Sequence, residues 1–279
     1  MSKNFETVHD LPESCQQAVY DLVLAVADSK HLLGLRYGEW LGAPVLESSI
    51  AASAMAQDEF GHSRLFYSLV DDFVEAGLSQ RQEVPSEYRN MEVLDRPFES
   101  WTDFVAANAL VDAALLVQLE VFRNSSLMPL RRFVPKLIQE EVFHLQHAQG
   151  WMSLMTNTSE QSRSTLQKAI RRIWNPVLCW LGKPQSDSEK ALLDVGIQDI
   201  DSDGLRTRWM EKIGPLVEQG HLDLPVSNDT ITGEWILGSS LNWDGWDESF
   251  RRASKIGPDA ETFTQIECFS THAYPVGSQ

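Results

Sequence analysis

The chain of 279 residues carries a formal charge of −17, with 43% hydrophobic and 23% charged residues. Those figures suit a folded globular chain with a substantial core and exclude a disordered one. So acidic a surface repels phosphate backbones and anionic lipid, so nucleic-acid and membrane-surface partners are not expected. Three scattered cysteines (Cys15, Cys179 and Cys268) support neither a disulfide framework nor a zinc knuckle. The polar start MSKNFETVHDLPESCQQ gives no signal-peptide pattern, and no apolar run of membrane-spanning length is read, so a cytoplasmic location is expected.

In chain order, apolar residues recur at helical spacing over 14–41, from Val19 and Leu22 to Leu33 and Tyr37, and the pattern breaks at Leu41-Gly42-Ala43-Pro44. A second helix fits 45–77 and stops at Gly77. Residues 78–98, with Pro85 and Pro97, read as a connecting loop. A third helix fits 99–124 and a fourth runs from Pro129 to about Met155. Two hairpins joined by a long link predict an all-α four-helix bundle with one long crossover, its core at about 14–156. Helices over 160–182, 203–220 and 247–271 form a C-terminal extension of the same domain, with Trp235, Trp243 and Trp246 among turn-prone residues.

The second and fourth helices share a polar pattern. Glu59 and His62 stand three residues apart, as do Glu141 and His144. Three residues turn a helix by roughly 300°, so each pair faces one way. Two Glu-x-x-His motifs, with one carboxylate from each remaining helix, make a dinuclear metal site in a bundle. Matching depth from the turns selects the other two acids: Asp28 opposite Glu59, and Asp112 opposite Glu141. Glu39 and Glu120 lie about 12–16 Å too near their turns. Both Asp28 and Asp112 sit on apolar stripes, where an acid is costly unless it is paired or bound to a metal. The expected ligands are therefore Asp28, Glu59, His62, Asp112, Glu141 and His144. In each motif the carboxylate, Glu59 or Glu141, can bridge and the imidazole can cap, which suits one iron per pair. Two irons per chain are expected, with manganese as the alternative. His31 and His147 flank the site.

LRYGEWLGAPVLESSIAASAMAQDEFGHSRLFYSLV and QEEVFHLQHAQGW resemble the phenylacetic acid catabolic proteins, the A and C subunits of bacterial phenylacetyl-CoA epoxidase; DLPVSND and FTQIECFSTHAYP are more loosely similar to the C subunit. The resemblance implies a ferritin-like diiron subunit of a multicomponent oxygenase that epoxidises the ring of an aromatic acyl-CoA. It also implies a homologous ferritin-like partner, as a homodimer or an A/C-type heterodimer, and a separate reductase. Both Glu-x-x-His motifs stand intact, unlike the usual C pattern, while the C-terminal half is more C-like. Two alternatives stay open: a non-catalytic partner subunit, and a stand-alone iron or manganese oxidase or peroxidase.

Overall fold

In a computed structural model, which describes residues 4–271, four long helices form two antiparallel hairpins: α1 (Glu13–Gly38) with α2 (Leu46–Glu75), and α3 (Trp101–Phe122) with α4 (Met128–Thr158). The first hairpin turns at Glu39–Val45, where Pro44 and an extended Val45 end one helix and admit the next. Ser100 caps α3 by accepting the Asp103 N–H. Pro129 occupies the first turn of α4, where its missing N–H costs nothing. These bounds lie within a few residues of the expected ones.

Helices α5 (Glu160–Trp180), α6 (Asp187–Asp194) and α7 (Ser202–Gln219) follow, with α5 and α7 packed on α3. The Trp209 indole on α7 donates to the Leu110 carbonyl on α3 at 3.0 Å and meets Trp174 of α5 edge-on. Covered on all sides, α3 needs no amphipathic stripe, and most of its residues are buried. This corrects the expectation that no apolar run of spanning length exists. An 18-residue window of α3 reaches a mean hydropathy of 1.7, but 94% of that window is buried inside the protein.

Two further expectations are corrected in the C-terminal part. A short antiparallel pair, β1 (Val226–Asn228) and β2 (Trp235–Leu237), falls in a stretch read as tail. The last helix, α8, spans Ala260–Thr271 and does not begin near 247. The HAYP end of its motif lies outside the described residues. Residues 78–98 are likewise more than a link. Arg252 from the tail hydrogen-bonds the Asn90 carbonyl at 3.4 Å and pairs with Asp95, while the Arg36 guanidinium of α1 reaches Thr262 at 2.5 Å. Tail and crossover are thereby fastened across the first helix.

Candidate metal centre

The four long helices deliver their polar residues to one buried layer. Glu59, Asp112, Glu141 and His144 place one donor atom each within 4.8 Å of one another, and all four are buried. That spread matches a coordination sphere of oxygen and nitrogen ligands at about 2.0–2.2 Å from a common centre. His62 joins from α2, its Nδ1 3.1 Å from Glu141 Oε1.

The outer nitrogens of the two histidines are held reciprocally. His62 Nε2 lies 2.8 Å from Glu140 Oε2, and His144 Nε2 lies 3.3 Å from Asp58 Oδ2. Each acid directly precedes the glutamate of the opposite motif, so (Asp/Glu)-Glu-x-x-His is the working unit. A carboxylate on the outer nitrogen orients the ring and leaves Nδ1 as the inward donor, the usual support for a metal-bound imidazole. Asp112 is gripped on one side only. Its Oδ2 accepts from the Tyr37 hydroxyl at 2.6 Å and the Asn108 amide at 2.6 Å. Asn108 is fixed in turn by His147, whose Nδ1 lies 2.8 Å from Asn108 Oδ1.

What remains without a hydrogen bond decides the chemistry. Glu59 Oε2, His62 Nδ1, Asp112 Oδ1, Glu141 Oε2 and His144 Nδ1 are buried and have no well-aligned hydrogen-bond partner. A single buried polar atom left so costs about 1–3 kcal/mol. Five of them, all inward atoms of the same group, fit a bound cation, and their oxygen–nitrogen character suits iron or manganese.

Lys30 is the residue that sequence reasoning missed. Its ammonium is fully buried, 3.0 Å from Glu59 Oε1 and in contact with Glu141 Oε1. The spacing Val23, Lys30, Tyr37 puts it on the same face of α1 as the tyrosine that holds Asp112. That was the available signal. It was masked because α1 is buried around most of its circumference, so its apolar pattern names no inward side.

Asp28, expected as the first-helix ligand, is not brought to the cluster. Two residues from Lys30 is about 200° around the helix, so depth was right and direction was not. Asp28 Oδ1 accepts from the Tyr67 hydroxyl at 2.8 Å and Arg81 at 2.6 Å; its Oδ2 accepts from Arg81 at 2.7 Å and the Arg89 N–H at 2.8 Å. The crossover thus satisfies this acid completely. Asp28→Ala would strand Arg81, whose side chain is 9% exposed, and is expected to cost about 3–5 kcal/mol in denaturant titrations. Metal content should not change, an outcome that separates a structural acid from a ligand.

The rejected acids are engaged elsewhere: Glu39 with Arg36 at 2.5 Å and Glu120 with Lys212 at 2.8 Å. His31 packs edge-on against Phe60 and Tyr67, and burial pushes it down to about 4. It borders a cavity of about 750 Å³ shared with Tyr67, Arg81 and Tyr88; no residue of the cluster lines it.

Charges inside the cluster are strongly linked. Burial alone would lower His144, but Glu141 and its neighbours push it up to about 11. Burial likewise opposes charge on Lys30, yet Glu141, Glu59 and Asp112 hold it above the ordinary lysine range. Burial raises Asp112, while Lys30 and His144 outweigh burial at Glu141 and hold it well below the carboxylate range. With its pKa above the unfolded value of about 6.5, His144 contributes stability that is full below that pH and lost as pH climbs toward 11. Metal-free protein should therefore weaken between about pH 7 and 10 in urea titrations, and His144→Gln should flatten that slope.

Buried carboxylates and histidines converging from three helices of an antiparallel four-helix bundle, with a lysine from the fourth, define a ferritin-like protein of the carboxylate-cluster class. Residues 1–236 match the family described as phenylacetic acid catabolic protein, and the chain belongs to that family. Among curated proteins it is 26% identical to the A subunit of 1,2-phenylacetyl-CoA epoxidase from Escherichia coli (strain K12), over 85% of this chain and 79% of the relative. The C subunit of the same epoxidase is also 26% identical, over 75% and 85%. Among solved structures, a variant of an R2-like ligand-binding oxidase with an aerobically reconstituted Mn/Fe cofactor superposes with a TM-score of 0.57. That likeness spans 78% of this chain and 86% of the other at 16% identity, and it concerns the fold.

Proposed function

We propose that this chain is the metal-holding subunit of a multicomponent oxygenase that acts on an aromatic acyl-CoA thioester. The supporting observation is the set of five inward-facing buried atoms on Glu59, His62, Asp112, Glu141 and His144 that have no hydrogen-bond partner. Relatives that are subunits of a phenylacetyl-CoA epoxidase suggest the substrate class and a ferritin-like companion.

Bound iron or manganese would supply redox chemistry toward dioxygen that amino-acid side chains lack. The chain's own residues do the rest. Asp58 and Glu140 fix the histidine rings, Tyr37 and Asn108 fix Asp112, and Lys30 offsets the charge of Glu59 and Glu141. The packed α1 and α3 keep bulk water from the layer, which strengthens each of these interactions. Electrons would come from a separate reductase.

Lys30 also favours a second reading, a partner subunit whose cluster closes on its own lysine. Iron-loaded protein, its companion subunit, a reductase and phenylacetyl-CoA under oxygen distinguish the two. Product one oxygen atom heavier than substrate, lost when this chain is stripped of metal before assembly, is the expected result. Equal turnover with the stripped chain would assign it the partner role.

A further inference from the structure

The two glutamates of the cluster are shared in a particular way. Glu59 Oε1 and Glu141 Oε1 both face the Lys30 ammonium, while Glu59 Oε2 and Glu141 Oε2 have no hydrogen-bond partner. A carboxylate that bridges two cations gives one oxygen to each. Here one oxygen of each glutamate already has its cation, and that cation belongs to the protein.

The remaining donors divide accordingly. Asp112 and His144 complete a four-residue group with the two glutamates, compact enough for one ion. His62 stands apart from that group, with Nδ1 3.1 Å from Glu141 Oε1, the oxygen that Lys30 contacts. The first helix, which would have to supply an acid on that side, offers no carboxylate there, because Asp28 is bound by Tyr67, Arg81 and the Arg89 N–H.

Building on the metal-holding reading, we infer that the centre is mononuclear: one ion binds between Glu59, Asp112, Glu141 and His144, and the Lys30 ammonium takes the place of a second. The lysine is a positioning residue. It keeps the inner oxygens of both glutamates occupied and restricts metal to the Asp112 and His144 side. Exchange of the lysine for an acid would open the other side, where His62 waits as a ligand.

The test counts ions in the full chain. Metal-free wild type, Lys30→Glu and Lys30→Gln are loaded anaerobically with excess ferrous iron or manganese, desalted and measured for metal per chain. Anomalous scattering from crystals locates the ions. One ion in wild type at the Asp112–His144 side, rising to two in Lys30→Glu with the second beside His62, is the expected result. Lys30→Gln removes the charge and adds only a neutral amide, no carboxylate, and should hold one ion at the same place, so the inference stays testable if Lys30→Glu does not fold. Two ions in wild type would overturn the inference and leave the metal-holding reading intact. One ion sited at His62 would overturn it too. No ion in any of the three folded proteins would overturn both.

Discussion

Lys30→Met is expected to cost metal-free protein about 3–5 kcal/mol. Methionine matches the lysine stem in length and packs readily, so lost volume is not the cause. What is lost is, among the described residues, the only ammonium beside Glu59, Glu141 and Asp112, three acids that are each at most 1% exposed. Truncating one member of such a group leaves the others charged and uncompensated in a low dielectric, or forces them to take up protons. Stability of the variant should consequently recover at acid pH, where Glu141 takes up a proton once the Lys30 charge no longer holds it low, and on adding manganese, which restores positive charge. Urea titrations with and without the metal measure both. A Lys30→Met protein as stable as wild type throughout would remove the lysine from the charge balance of the site.

The double substitution Glu59→Ala and His144→Ala should abolish metal binding and reduce oxygenation in the assembled complex to background. Glu59 supplies from α2 an oxygen, and His144 from α4 a nitrogen, that has no hydrogen-bond partner, so the pair removes ligands from both hairpins. Lys30 keeps Glu141 as its partner in this variant, and the fold should survive, as circular dichroism and a thermal scan would show. Undiminished turnover with a metal-free double variant would place the chemistry on the companion subunit.

The bundle was legible in the sequence because strong signals bracket its long helices: Pro44, Gly77, Pro97 and Pro129 mark breaks that the structure keeps. Glu59, His62, Glu141 and His144 were legible because a repeated spacing on two helices is hard to produce by chance, and Asp112 because its depth from the turn matches that of Glu141. The residue from α1 was not. Counting residues from a turn fixes depth to within a residue or two, while facing changes by about 100° with every residue. On α1, buried on nearly all sides, periodicity could not correct the error. The partners of Asp28 were hidden for another reason. Arg81 and Arg89 lie more than 50 residues away in a crossover whose regular structure is two three-residue 3-10 turns, and no local pattern reports such a contact. The β1–β2 pair is only three residues per strand, too short for alternation to register.

One determination bears most directly on whether this cluster is a metal centre. Wild-type protein purified from cells grown with iron and manganese is analysed by plasma mass spectrometry beside the Glu59→Ala/His144→Ala double variant. Stoichiometric iron or manganese in wild type and none in the folded double variant is the expected result. A wild-type chain that is folded, metal-free as purified and indifferent to added iron or manganese would contradict it, and the cluster would then be a self-neutralised ion network closed by Lys30.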